Sequence, residues 1–440
     1  MASLVRFDAV NVESTASLQK FCESCKNLFK HATLGSAEEK ASFVSRLLAQ
    51  LSSRQDAVGD VSLLDALRIC FRDKAGTEAA VSFESLRLYT TRLEQAWVQG
   101  FWALAEMVLR CLTNATYQNH PAASTLCARD GLDGVGLLLR LLEKKGDHCC
   151  DPSSLTARHL CVRLLLLLAS QQSGSVVERL QQPSSVLLVV GLLSGGGRRR
   201  VSKEGAEAGA EAEQLLFCEA CKLLHLLDAP RLCCEGGEGA ESATALQLLE
   251  SALARALHDP DTDTDTDDDA TSPSKAFALH VLMVFPLQRI PLLAGGRGPS
   301  LAPAVLSQLH AQLLRLSQGG DERKTLEEQA YLLTPALAVL GMLALNEEAR
   351  SALELLVFPP QAQGQAQAQG QQQDPLKPED APPGTLRALL LGRMTSLESS
   401  VSRLTAELMW LLCGEDRDVF VRRTGMGNAA GLLQIKGMIG

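Results

Sequence analysis

LRCLTNATYQ, residues 109–118, reads as an apolar helix that carries an embedded polar residue and then runs out into a polar break. The same pattern occurs before it in LRICFRDKAG (67–76). It returns after it in VRLLLLLASQ (162–171), CKLLHLLDAP (221–230), LHVLMVFPLQ (279–288), LAVLGMLALN (337–346) and AELMWLLCGE (406–415). Successive starts lie 42 to 69 residues apart. Further amphipathic helices fall between them, over 41–51, 132–143 and 304–316. Armadillo and HEAT units take about 40–47 residues and two or three helices each. The repeat therefore predicts an all-α, armadillo/HEAT-like, right-handed superhelical solenoid, a single repeat domain over 1–440.

Composition agrees. Hydrophobic residues make up 46% of the chain and aromatics only 4%. Strand-rich proteins lean on β-branched and aromatic residues, whereas Leu and Ala, which dominate here, are strong helix formers. The length beyond the repeat falls in low-complexity insertions at about 195–213, 259–275, 294–300 and 361–378. Their Gly, Ala, Gln and acidic composition cannot bury a core, so they are expected to be disordered. A solenoid tolerates insertions because each unit touches only its neighbours.

Several function classes recede. The net charge is −9, and a nucleic-acid binder normally offers a basic stripe to the phosphates. The run Arg198-Arg199-Arg200 lies among glycines with no aromatic interleaved, which reads as a solvated loop. No stretch approaches the roughly 18 apolar residues that cross a bilayer, and the N-terminus lacks a signal-peptide core, so a cytoplasmic protein is expected. Thirteen cysteines, an odd count, point to reduced thiols. Cys22/Cys25 and Cys218/Cys221 have the spacing of half a zinc site or a redox pair. Both sit in helix-like segments without a second pair of ligands, where a buried free thiol is the plainer reading. No metal site and no cofactor are expected. No phosphate loop, HExxH or GxSxG is present, and His31, His120, His148, His225, His258 and His280 are dispersed, so no catalytic residue is assigned.

Two sets of polar residues remain. Thr262, Thr264 and Thr266 each have an acidic residue three positions on. This suits an acidophilic kinase, although a merely solvating acidic loop explains the stretch as well. On the repeated helices, Arg68 and Arg72 are four apart and would project from one face of one helix. Asn114, Arg163, Lys222 and His280 occupy comparable places in later units. Equivalent helices line one surface of a solenoid, so these six could form a ladder along a groove. That groove would suit a helical peptide with an anionic end, because guanidinium forks bind carboxylates bidentately. Isolated surface charges are the alternative.

LRICFRDK (67–74), EMVLRCLTNATYQNH (106–120), VRLLLLLAS (162–170), LHVLMVFPL (279–287), LLTPALAVLGML (332–343) and RRTGMGNAAGLL (422–433) resemble, in order, the landmarks of the synembryn family. Thr424, Gly425, Gly427, Asn428 and Gly431 carry the last and most specific of them. His280 and Val284 stand where the family usually has Asn. The resemblance implies a cytosolic, armadillo-like chaperone and non-receptor guanine-nucleotide exchange factor for heterotrimeric G-protein α subunits (Gα), recruited to the cell cortex by its partner. It implies capture of the Gα C-terminal helix, with Arg68, Arg72 and Asn114 at family contact positions, and no bond made or broken. A monomer is expected. A generic armadillo/HEAT adaptor without exchange activity is the alternative, though it gives no reason for TGMGNAAGLL.

Overall fold

The computed structural model describes residues 7–26, 36–54, 56–144, 151–172, 174–193, 203–235, 240–258, 273–286, 289, 301–317, 325–359 and 381–439. Among the described residues every regular element is helical and there is no strand. The chain divides into two compact units, Met1–Ala245 and Leu246–Gly440.

In the first unit, α1 (Thr15–Lys26), α3 (Ala57–Cys70), α5 (Trp102–Gln118), α8 (Pro152–Gln171) and α11 (Lys203–Leu226) pack each against the next in one row. A second layer backs it. It comprises α2 (Ala37–Ser53), α4 (Phe83–Gln99), α7 (Gly134–Glu143) and α10 (Pro183–Leu193), resting on α3, α5, α8 and α11 respectively. The short helices α6 (His120–Cys127), α9 (Ser175–Leu180) and α12 (Ala229–Glu235) complete the unit, and α13 (Ala240–His258) runs across the division. In the second unit the row is α14 (Pro273–Met283), α16 (Leu326–Leu343) and α19 (Ser399–Leu412). Against it lie α15 (Leu301–Ser317), α17 (Glu347–Val357) and α18 (Leu386–Met394), while α20 (Arg417–Thr424) and α21 (Met426–Ile435) close on α19.

The seven repeated segments thus fall at the C-terminal ends of α3, α5, α8, α11, α14, α16 and α19, the row helices of each unit. Their breaks are the turns that end those helices. Starts are fixed by side-chain caps: Asp56 accepts from the Val58 and Gly59 amides at α3, and Thr325 with Glu328 forms a capping box at α16. Phe7, Phe21 and Phe43 join the N-terminus to α1 and α2, with ring centroids 5.0 to 6.0 Å apart. Arg92 on α4 reaches the buried Asp60 on α3 at 3.5 Å and donates to the Leu51 carbonyl.

Two sequence expectations are corrected. Residues 203–213 of the insertion expected over 195–213 are the first turns of α11, because their Ala and Glu are good helix formers. Residues 273–275 of the second insertion likewise begin α14. The remaining parts of these insertions, those at 294–300 and 361–378, Arg198–Arg200, His31, His148 and Thr262, Thr264 and Thr266 lie outside the described residues. Among the described residues, α8 alone has the length and apolarity to be considered as a membrane span. Two thirds of its most apolar stretch is buried and it packs on α5 and α11, so it is accounted for as a core helix.

Candidate functional site

Arg68, Arg163 and Lys222 each hold the second position of their repeated segment, and each stands on a row helix of the first unit, α3, α8 and α11. A fourth member of that register is Arg110 on α5, which the sequence reading passed over in favour of Asn114, one turn further along. The signal was present: Arg110 is the second residue of LRCLTNATYQ. Because α3, α5, α8 and α11 pack in order, the four cations form one row.

Most rungs of this row carry an acidic partner one turn back. Arg68 holds Asp65 at 2.6 Å, Arg110 holds Glu106 at 2.9 Å and Lys222 holds Glu219 at 2.9 Å. On α8 the corresponding place, four residues before Arg163, is taken by His159. His159 is 7% exposed. Its burial pushes the imidazole below its usual range; Arg163, Lys222 and Arg110 push the same way, and Glu219 opposes them. Arg163 itself is exposed. The row is therefore locally neutralised on α3, α5 and α11, and carries its surplus positive charge on α8.

Apolar side chains interleave with the charges. Tyr117, two turns beyond Arg110, is 68% exposed, and Leu226, one turn beyond Lys222, is 44% exposed. Leu166 and Leu167 are half-buried beside Arg163, and so is Asn114 beside Arg110. The face is one of cations among apolar patches, on a bed of buried Leu and Cys.

The structure separates some of the expected ladder. Arg72 does not share a helical face with Arg68, because α3 ends at Cys70. Its Nη1 instead donates to the Cys25 carbonyl at 2.9 Å, capping the C-terminus of α1. His280 belongs to the second unit, on α14, where Nδ1 donates to the Ala276 carbonyl at 2.9 Å and the ring lies 5.4 Å from Tyr331. Cys22, Cys25, Cys218 and Cys221 are buried in α1 and α11. Burial raises the thiols of Cys22, Cys25 and Cys221, which leaves them little thiolate.

The TGMGNAAGLL stretch makes the junction of α20 and α21. Thr424 is fully buried and its Oγ1 donates to the Phe420 carbonyl at 2.8 Å. Gly425 adopts φ +83°, a conformation that favours glycine. Asn428 Nδ2 donates to the Thr424 carbonyl at 2.8 Å. Gly427 and Gly431, four apart, face open space.

Comparisons with known proteins give the family of the chain. The family described as guanine nucleotide exchange factor synembryn (Ric8) matches residues 63–440. Chaperone Ric-8A of Xenopus tropicalis is 33% identical over 125 residues, 28% of this chain and 20% of the relative. Chaperone Ric-8A of Mus musculus is 44% identical over 54 residues, 12% and 10% of the two chains. That of Danio rerio is 30% identical over 125 residues, 28% and 20%. The matched stretches thus span a fifth or less of these relatives. The family match, in contrast, runs through both units and takes in the cationic row and the α20–α21 junction, and by it the chain belongs to the synembryn (Ric8) family.

Proposed function

We propose that this protein is a chaperone and guanine-nucleotide exchange factor for heterotrimeric G-protein α subunits. Its two-layered rows are read as an armadillo/HEAT-like superhelical array whose row helices line the concave side. The observation that carries the proposal is the shared register of Arg68, Arg110, Arg163 and Lys222 in a chain matched to the family over residues 63–440. A Gα C-terminal helix offers a carboxylate and an apolar face. Guanidiniums pair with the first, and Tyr117, Leu166, Leu167 and Leu226 accept the second. Arg72 and Asn114 border the row in this reading. No bond is made or broken. GDP leaves faster because the protein binds the loosened Gα state better than the nucleotide-bound one, and the same grip shelters nascent Gα. The protein acts as a monomer in the cytoplasm and reaches the cell cortex with its partner.

Release of a fluorescent GDP from purified Gα, with and without the protein, tests this reading. Acceleration is expected, together with capture of Gα in a pull-down. If both are blank, the proposal fails; capture without acceleration leaves an adaptor. Arg163→Glu is the cleaner disabling variant, since Arg72→Glu would also uncap α1.

A further inference from the structure

His159 stands where the other rungs of the cationic row keep a carboxylate, one turn before Arg163 on α8. Side chains four apart on a helix are neighbours, with Cβ atoms about 5–6 Å from each other. The imidazole is buried, yet among the described residues neither ring nitrogen has a hydrogen-bond partner. A buried histidine that serves packing alone normally bonds at least one of them.

Charged groups reach it from the helices on either side. From α11 come Glu219, itself buried, and Lys222, joined to each other at 2.9 Å. From α5 comes Arg110, paired with Glu106 at 2.9 Å. On α8 itself are the exposed Arg163 and the buried Arg158, whose guanidinium donates to the Leu142 and Lys144 carbonyls. The helices α6, α7 and α9 also pack on α8. Their His120, Arg140, Glu143 and Glu178 are exposed, and Arg179 is engaged with Asp133. Burial disfavours the imidazolium, Glu219 favours it, and Arg163, Lys222 and Arg110 oppose it. A carboxylate docked on Arg163 changes this balance. It cancels one of the opposing charges and brings a negative one within a turn of the ring. The proton affinity of His159 then rises on binding, and a complex that takes up a proton tightens as pH falls. The partner's carboxylate stays ionised down to about pH 5.

On the Gα reading of the row, we propose that His159 ties capture of the partner's carboxylate end to uptake of a proton, so that the row grips Gα more tightly as pH falls from about 7.5 to about 6. One whole proton would give about tenfold per pH unit, and partial uptake over this range gives about threefold.

Calorimetric titration of the full chain with purified GDP-bound Gα tests this. It is run across that pH range and in buffers of differing ionisation enthalpy, which counts the protons bound. Wild type is expected to gain about threefold in affinity relative to His159→Gln, and to take up protons that His159→Gln does not. Titration of Gα itself is common to both proteins and drops out of the comparison. Arg163→Gln, at an exposed position, removes the seat of the carboxylate and is expected to lose the same proton uptake. Equal pH slopes in wild type and His159→Gln overturn the proposal and leave the Gα reading standing. Undiminished proton uptake by Arg163→Gln overturns it as well. If His159→Gln loses helicity, the proton counts of wild type and Arg163→Gln decide. No capture of Gα by wild type at any pH fails the Gα reading, and the proposal with it.

Discussion

Lys40 and His159 illustrate how single side chains in this chain answer to burial. Lys40 is 1% exposed; its Nζ donates to Asp73 Oδ2 at 2.9 Å and to the Asp73 carbonyl at 3.1 Å. Asp73, by contrast, is 45% exposed in its side chain. The pair is therefore asymmetric. Lys40→Met keeps the buried stem and leaves a carboxylate that water can reach, which should cost about 1 kcal/mol. Asp73→Ala strands a buried ammonium, which should cost about 3 kcal/mol. Urea denaturation of both variants checks the order, and a larger loss in Lys40→Met would refute the asymmetry. The hydrogen bond from Lys40 holds Asp73 below the usual carboxylate range, so its contribution is present at neutral pH and lost as acid protonates it. His159 acts at higher pH. Its folded pKa is lowered, mainly by burial, so below about pH 6.5 the unfolded chain takes up a proton that the folded chain resists. Stability supplied by the neutral imidazole is thus present above that pH and declines as pH falls towards 5. Melting curves of His159→Gln should show a smaller drop between pH 7 and 5 than wild type; an equal drop would assign the loss to other groups.

At the level of the element, α21 presents an unusual surface. Gly427 and Gly431 lie on one exposed side of a ten-residue helix, and a Cβ at either would meet nothing within 4 Å. Glycine inside a helix costs about 0.5–1 kcal/mol relative to alanine. Gly427→Ala and Gly431→Ala should each raise stability by about that amount, measured by urea denaturation. A loss instead would mean that the helix packs more tightly than its surroundings indicate. Gly425 is different, because its φ of +83° is strained for any other residue, and Gly425→Ala should destabilise the junction by about 1–2 kcal/mol. The elements were well marked in the sequence. LRCLTNATYQ and its six counterparts end the row helices because an apolar run closed by polar residues is what a helix buried on one side and stopped at a turn requires. The face of Arg68 and Arg163 was legible for the same reason. Arg72 was misplaced because spacing of four implies a shared face only while the helix continues, and α3 stops at Cys70. His159 was missed because a histidine in an apolar helix has no local signature; its neighbours Arg110 and Glu219 come from other helices. The start of α11 was hidden by a Gly/Ala/Glu composition that suits a loop or a helix equally well.

For the molecule as a whole, the proposed capture of Gα turns on how much of the row's charge is already neutralised within its own helices. Asp65, Glu106 and Glu219 neutralise Arg68, Arg110 and Lys222 within their own helices. A partner's carboxylate would have to compete with these pairs, and exposed pairs of this kind are worth only about 0–1 kcal/mol. Arg163 meets no such competition on its own helix, because His159 stands one turn before it. If the row receives the anionic end of a Gα helix, Arg163 should dominate the electrostatic part of the affinity. Reversing Arg163 should then weaken Gα capture by about tenfold, or about 1.4 kcal/mol, and reversing Arg110 by less, because Glu106 already screens it. Salt offers a second handle on the same question. Between exposed charges the screening length is about 8–10 Å at physiological ionic strength, so wild-type affinity should fall as salt rises, and the affinity of Arg163→Glu should fall less. Titrations of Gα against both proteins at low and high salt measure this directly. Equal salt slopes, or an effect of Arg110→Glu as large as that of Arg163→Glu, would mean that the partner's charge is read elsewhere and that the row contributes through Tyr117, Leu166, Leu167 and Leu226 alone.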